Sequence, residues 1–212
     1  MANDNEKAYL SHQLRAFEPS PWVLRFAPLV KTGGCVLDLA CGAGRHSRHF
    51  LEQGYKVVAL DRFTDAISDL SSNLACEIIC ANLETNDIVF NQRGELAGRR
   101  FDGIIVVNYL YRPLLNYFID ALLPGGVLIY ETFARGNEQF GQPRNPDHLL
   151  NEAELLDLAQ NGLDVIAYEY GLDTNRQRSV VIQRICATKP EGPSGRQDGE
   201  TQPRKLLPSF IS

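Results

Sequence analysis

The sequence predicts an α/β fold: a doubly wound, mostly parallel seven-stranded sheet, helices on both faces, the last strand antiparallel. Three observations predict it. Short apolar runs alternate with helical patterns from Cys35 to Gly162, the pattern of successive strand–helix–strand units. The run Ile104-Ile105-Val106-Val107 is apolar on both faces, as a central parallel strand must be. Leu163–Tyr170 and Ser179–Ala187 are joined by GLDTNRQR, too short for a crossover helix, so that pair must be antiparallel.

The elements follow in order. Residues 1–7 are polar. Leu10, Leu14 and Phe17 recur at helical spacing, and Pro19 and Pro21 end that helix. Trp22, Val23, Phe26 and Val30 make a second short amphipathic helix closed by Gly33-Gly34. Cys35–Leu39 is a buried strand, Arg45–Gln53 a helix, Lys56–Asp61 the next strand, and Thr64 caps the helix after it. Glu77–Cys80 is a weaker strand, and residues 84–100 carry no clear period. Phe101–Val107 is a strand and Leu114–Leu123 a helix stopped by Pro124-Gly125-Gly126. Val127–Tyr130 is a strand, followed by a long loop over 133–150. Asn151-Glu-Ala-Glu154 reads as a capping box for a helix ending at Gly162. One domain over 1–189 is expected, with the helical segment 7–30 packed on it. Residues 190–212, rich in proline and glycine, are expected to be a disordered tail.

Composition narrows the function. The chain has 212 residues, 44% hydrophobic and 22% charged, long enough to bury a core without disulfides or a structural metal. Its net charge of −5 makes general nucleic-acid binding unexpected, since that affinity rests on neutralising phosphates. No apolar run approaches the roughly 18 residues of a membrane span, and MANDNEKAYL is no signal segment. The five cysteines form no Cys-x-x-Cys pair, so reduced thiols in a cytoplasmic protein, and no metal site, are expected.

The chemistry concentrates in Val36-Leu-Asp-Leu-Ala-Cys-Gly-Ala-Gly-Arg-His-Ser47. A strand runs into a Gly-x-Gly turn that opens a helix, whose free N–H groups can meet a polar ligand. Gly42 and Gly44 permit backbone angles and close approaches that a side chain blocks. Asp38 is an acid within an apolar strand. It either faces a ligand or pins the glycine loop, because a lone buried carboxylate is expensive. Asp61 ends the second strand, where an acid can accept both hydroxyls of a ribose or simply favour a helix N-terminus.

VLDLACGAGRHS followed by Val57-Val-Ala-Leu-Asp61 resembles the cofactor-binding motifs of class I S-adenosylmethionine-dependent methyltransferases. FDGIIVVNYL, LLPGGVLIYET and the terminal hairpin agree with that likeness, which covers roughly residues 20–189. The Asp-x-x-Cys-Gly-x-Gly-Arg-His form is most similar to the tellurite-resistance-type branch of small-molecule methyltransferases. The resemblance implies a Rossmann-like sheet, S-adenosylmethionine as cofactor and a small-molecule methyl acceptor. It places Asp38, Ala40, Gly42 and Gly44 at the methionine moiety, and Asp61 at the ribose with Arg62 beside the adenine. Asn82 and Leu83 fall at the adenine edge, although the family often has an aspartate where Asn82 stands. Asn108 faces the sulfonium. On the acceptor side the candidates are Asn108, Tyr109, Arg112 and His148, with the loop 133–150, including Arg135 and Arg144, as a lid. Two other readings stay open: an NAD(P)-dependent oxidoreductase, although Ser47 replaces the third glycine of that fingerprint, and a non-catalytic cofactor-binding protein.

Overall fold

A computed structural model describes residues 18–85, 88–176 and 178–192. Seven strands form one sheet: β1 (Cys35–Leu39), β2 (Lys56–Asp61), β3 (Cys76–Cys80), β4 (Phe101–Val107), β5 (Leu122–Phe133), β6 (Asp164–Asp173) and β7 (Val180–Thr188). Their spatial order is β3-β2-β1-β4-β5-β7-β6, and β7 alone runs against its neighbours. The direction of winding reverses between β1 and β4. Open α/β sheets bind ligands at that reversal, beyond the carboxyl ends of the strands.

Alternation along the strands builds two cores. Val36, Val57, Ile105 and Ile129 face one side and bury Trp22, Phe26 and Phe50. Those come from α1 (Pro21–Phe26) and α2 (Arg45–Glu52). Leu37, Val58, Ile104 and Tyr130 face the other side, against Phe118 of α3 (Leu115–Ala121) and Leu155 and Leu158 of α4 (Glu154–Ala159). Each such apolar side chain contributes about 1.5–3 kcal/mol on burial.

The helix ends are tied across the fold. The Ser20 hydroxyl accepts from Trp22 N (3.2 Å), with Pro21 as first helical residue. At the other end of α3, the Lys189 ammonium donates to the Ile119 and Leu122 carbonyls at 2.8 and 3.0 Å. Gln183 of β7 accepts from Leu155 N (3.3 Å) at the start of α4. The Glu154 carboxylate reaches back to Asn151 N (2.7 Å) as a capping box requires, but Ala153, in the left-handed region, is the cap residue.

Three expectations are corrected. After Thr64 the chain forms 3₁₀ turns over Asp65–Ser72 rather than an α-helix, and the Thr64 side chain caps nothing. Ser68, Ser71 and Ser72 donate their hydroxyls to carbonyls three residues back, which favours the tighter winding. The fifth strand begins at Leu122, not Val127: Leu122 already pairs with Phe101, and the Pro-Gly-Gly segment is absorbed as a shift in register. Residues 133–150 are not a structureless loop. Ala134 bridges Leu150, and 3₁₀ turns cover Asn137–Gln139 and Pro146–His148. Asn137 is fully buried, donating to the Pro143 carbonyl (3.1 Å) and accepting from Val181 N (3.2 Å). The Leu10–Phe17 helix and the tail beyond Gly192 lie outside the described residues.

Candidate active site

Two clefts open side by side at the carboxyl edge of the sheet and share Tyr109. One, about 230 Å³, is lined by Ala40, Asp61, Arg62, Asn82, Leu83, Glu84 and Tyr109. The other, about 360 Å³, lies between Asn108 and His148. Ala40 (φ 55°) and Asn108 (φ 58°), directly after β1 and β4, hold left-handed backbones rare outside glycine. Such strain gathers where the surroundings fix a functional geometry.

The two acids behave differently. Asp61 is half-exposed on the floor of the first cleft. It accepts from Gly42 N (2.8 Å) and Phe63 N (3.0 Å), so it ties the glycine turn to the end of β2. Asp38 is buried, 2% exposed, and points at the start of α2. One oxygen accepts from both Ser47 N (2.9 Å) and Ser47 Oγ (2.6 Å). It thereby satisfies a first-turn N–H that Gly44 has no side chain to cap. Burial raises the Asp38 pKa to about 6, against the lowering effect of those Ser47 hydrogen bonds. These bonds tie Asp38 to the helix start behind the glycine loop.

The glycines divide as well. A Cβ on Gly44 meets Ile67 Cγ2 at 2.5 Å, so this glycine serves packing of the 3₁₀ segment on α2. A Cβ on Gly42 meets nothing within 4 Å and stands in open space, while the Gly42 N–H donates to Asp61 of the first cleft.

Around the rim, the Arg62 guanidinium stacks on Phe63 at 4.8 Å, and Phe63 is 68% exposed. Neither the exposed aromatic nor its stacking was read from the sequence, although an aromatic two residues past a strand-ending acid is a usable signal. Asn82 accepts from Glu84 N (3.0 Å), so its carbonyl is engaged by its own turn. Leu83 is buried beside it. The Tyr109 hydroxyl is buried without a hydrogen-bond partner. Burial first, then the charges of Glu84 and Asp61, push its pKa above the ordinary tyrosine value. An unsatisfied buried hydroxyl costs about 1–3 kcal/mol.

The sequence candidates on the acceptor side separate. Asn108, Tyr109 and His148 come together at the second cleft. Arg112 does not join them. Its guanidinium is bidentate to Glu154 (2.7 and 2.9 Å) and donates to the Asp147 and Leu149 carbonyls at 2.9 and 2.8 Å. It is a clamp that fixes the loop next to His148, and its planar fork suits that task. Arg135 and Arg144 are exposed on the loop and do not line the cleft.

Sequence reading missed a buried polar network behind the site. Glu131, 1% exposed at the end of β5, accepts from Arg176 (2.9 Å), Arg184 (3.3 Å) and the Ser20 hydroxyl (3.2 Å). His46 accepts from Ser20 N (3.1 Å), and burial together with Arg45 depresses its pKa to about 3, so it is neutral. The available signal was an acid closing an apolar strand, the same one that marked Asp38. Among the described residues no group of three or more His, Cys, Asp or Glu could hold a metal ion. No described helix is long and apolar enough to cross a membrane.

Comparison with known proteins agrees with this fold. TehB from Haemophilus influenzae superposes with a TM-score of 0.59 at 19% identity, over 77% of this chain and 60% of that one. The present chain thus spans less than two thirds of TehB. The 1,6-didemethyltoxoflavin-N1-methyltransferase of Burkholderia thailandensis, solved with its substrate and S-adenosylhomocysteine, gives 0.61 at 20% identity over 90% and 92% of the two chains. The N-methyltransferase NodS from Bradyrhizobium japonicum gives 0.59 at 15% identity over 81% and 98%. At these identities the likeness is one of fold. Curated proteins give no significant sequence match. The family model for a methyltransferase domain matches residues 9–167, three quarters of the chain. The chain belongs to that methyltransferase family.

Proposed function

We propose that this protein transfers a methyl group from S-adenosylmethionine to a small-molecule acceptor by in-line displacement. The observation that carries the reading is the pair of adjoining clefts sharing Tyr109, the first floored by the strand-ending acid Asp61. A nicotinamide enzyme fits less well. Its fingerprint wants a third glycine where Ser47 is buried and bonded to Asp38.

The residues suit the cofactor. Asp61 keeps lone pairs for ribose hydroxyls beyond the two amides it accepts from. Gly42 leaves room that a side chain would fill, and Tyr109, its hydroxyl buried without a partner, lines both clefts. Arg62, Asn82 and Leu83 bound the adenine end, while Ala40 and Asn108 offer strained backbone at the methionine end. Asp38 and Gly44 act from behind, by holding the loop. When bound, S-adenosylmethionine supplies an electrophilic methyl on a sulfonium. The protein's share is alignment and exclusion of water, and positioning of this kind is worth up to about 7–11 kcal/mol.

Calorimetry tests the reading. S-adenosylhomocysteine should bind and NAD should not. Tight NAD binding, or no S-adenosylhomocysteine binding, would overturn it.

A further inference from the structure

The second cleft carries an inference about the acceptor, resting on the methyltransferase reading of the first. We propose that the acceptor is an uncharged ring compound that presents an N–H or O–H group to His148, and that His148 is a catalytic residue accepting that proton.

Charge is the first observation. Leu110, Phe133 and Pro143 supply the apolar wall, and Asn108, Thr132 and Gln142 supply neutral polar groups. Among the described lining residues there is no carboxylate, lysine or arginine. Of the cations nearby, Arg112 and Arg176 are paired with carboxylates, and Arg144 and Arg178 stand outside the lining. Arg112 is held by Glu154, Arg176 by Glu131 and Asp173, and Arg178 donates to the Gln142 carbonyl. An anionic acceptor entering here meets no charged side chain on the lining, and a charge taken from water without a partner is strongly disfavoured.

Size is the second. A water molecule's share of liquid volume is about 30 Å³, so 360 Å³ is space for about a dozen waters. A four- or five-atom oxyanion fills a small part of it, whereas a one- or two-ring molecule fills it. The half-buried Phe133 offers such a ring an aromatic face.

The third is His148, the titratable side chain on this wall besides the Tyr109 phenol. Tyr109 is displaced toward its neutral, proton-holding form by burial. In the reaction the acceptor's heteroatom forms a bond to the methyl carbon, the carbon–sulfur bond breaks with its electron pair passing to sulfur, and the heteroatom's proton passes to a His148 ring nitrogen and on to water. Arg112, clamped to the carbonyls on either side of His148, holds the ring's backbone in place.

The test uses the full chain loaded with S-adenosylhomocysteine. Benzimidazole and 4-hydroxyquinoline are titrated against benzoate and selenite by calorimetry, with the His148 imidazole followed by NMR. The ring compounds should bind about tenfold or more tighter than either anion and shift the His148 signals. His148→Gln, at an exposed position, should weaken them by about fivefold, the loss of one hydrogen bond, while leaving S-adenosylhomocysteine affinity unchanged. Equal or tighter binding of benzoate or selenite overturns the proposal. So does failure of both ring compounds to bind, or binding that leaves His148 unshifted. Failure of S-adenosylhomocysteine to load strikes instead at the methyltransferase reading beneath it.

Discussion

Asp38→Asn should make the protein more stable at neutral pH. The Asp38 carboxyl has a native pKa of about 6 against an ordinary 3.8, because it is buried. At 1.36 kcal/mol per pKa unit, the ionised side chain costs the native state about 3 kcal/mol. The sign follows from proton binding: the folded protein holds this proton more tightly than the unfolded chain does. The cost is therefore complete above pH 6 and vanishes as pH falls below 4. Asparagine keeps an acceptor oxygen for Ser47 N and Oγ but carries no charge to desolvate. Urea unfolding of both proteins between pH 4 and 8 should show the variant gaining up to about 3 kcal/mol at pH 7 and nothing at pH 4. Asp38→Ala instead strands both Ser47 donors and should destabilise by about 2–4 kcal/mol at pH 4, a loss that shrinks towards pH 7 as the parent's own ionisation cost of about 3 kcal/mol comes in. A variant Asp38→Asn that is less stable than the parent at pH 7 would refute the assignment of burial as the dominant effect.

Other perturbations separate the site's parts. Asp61→Ala should weaken S-adenosylhomocysteine binding about tenfold or more by calorimetry and lower stability by about 1–2 kcal/mol through the lost Gly42 and Phe63 bonds. Unchanged affinity would reject the ribose role. Gly44→Ala should cost about 2–4 kcal/mol from the left-handed backbone and the Ile67 clash, visible as a lower Tm. Gly42→Ala faces open space but shares the left-handed backbone (φ 55°), so it should cost about 1–2 kcal/mol of stability as well as lower cofactor affinity. Arg112→Ala should speed hydrogen exchange across residues 147–154 and remove about 1–2 kcal/mol of stability. Its cofactor affinity should match the parent's.

Elements that announce themselves by local periodicity were readable. All seven strands stand where apolar runs occur, and the reversed strand followed from a connection too short for a crossover. Asp38 and Asp61 were legible as charges in apolar contexts. What the sequence hid is long-range pairing. Ser20 and Glu131 lie 111 residues apart, and Arg112 and Glu154 lie 42 apart. No local pattern marks Arg112 as a clamp rather than an acceptor-side residue. Residues 133–150 looked structureless for the same reason: their order comes from Asn137, Arg112 and β7, which periodicity within the segment does not reveal. Thr64 shows the opposite failure, a capping signal overridden by three serines that favour tighter turns.

Because β7 runs against the other strands, the chain quits the sheet on the side away from both clefts. Thr188 pairs with Val127 in the amino-terminal half of β5, and Ile182 pairs with Phe133 at its carboxyl end. Six residues of strand at about 3.3 Å each put some 20 Å between Lys189 and the ligand edge. A carrier domain, affinity handle or surface attachment joined after Lys189 therefore starts from the back of the molecule, with the clefts facing outward. The β6–β7 connection sits at the opposite pole, on the ligand rim, so an insertion there would alter access to the catalytic face.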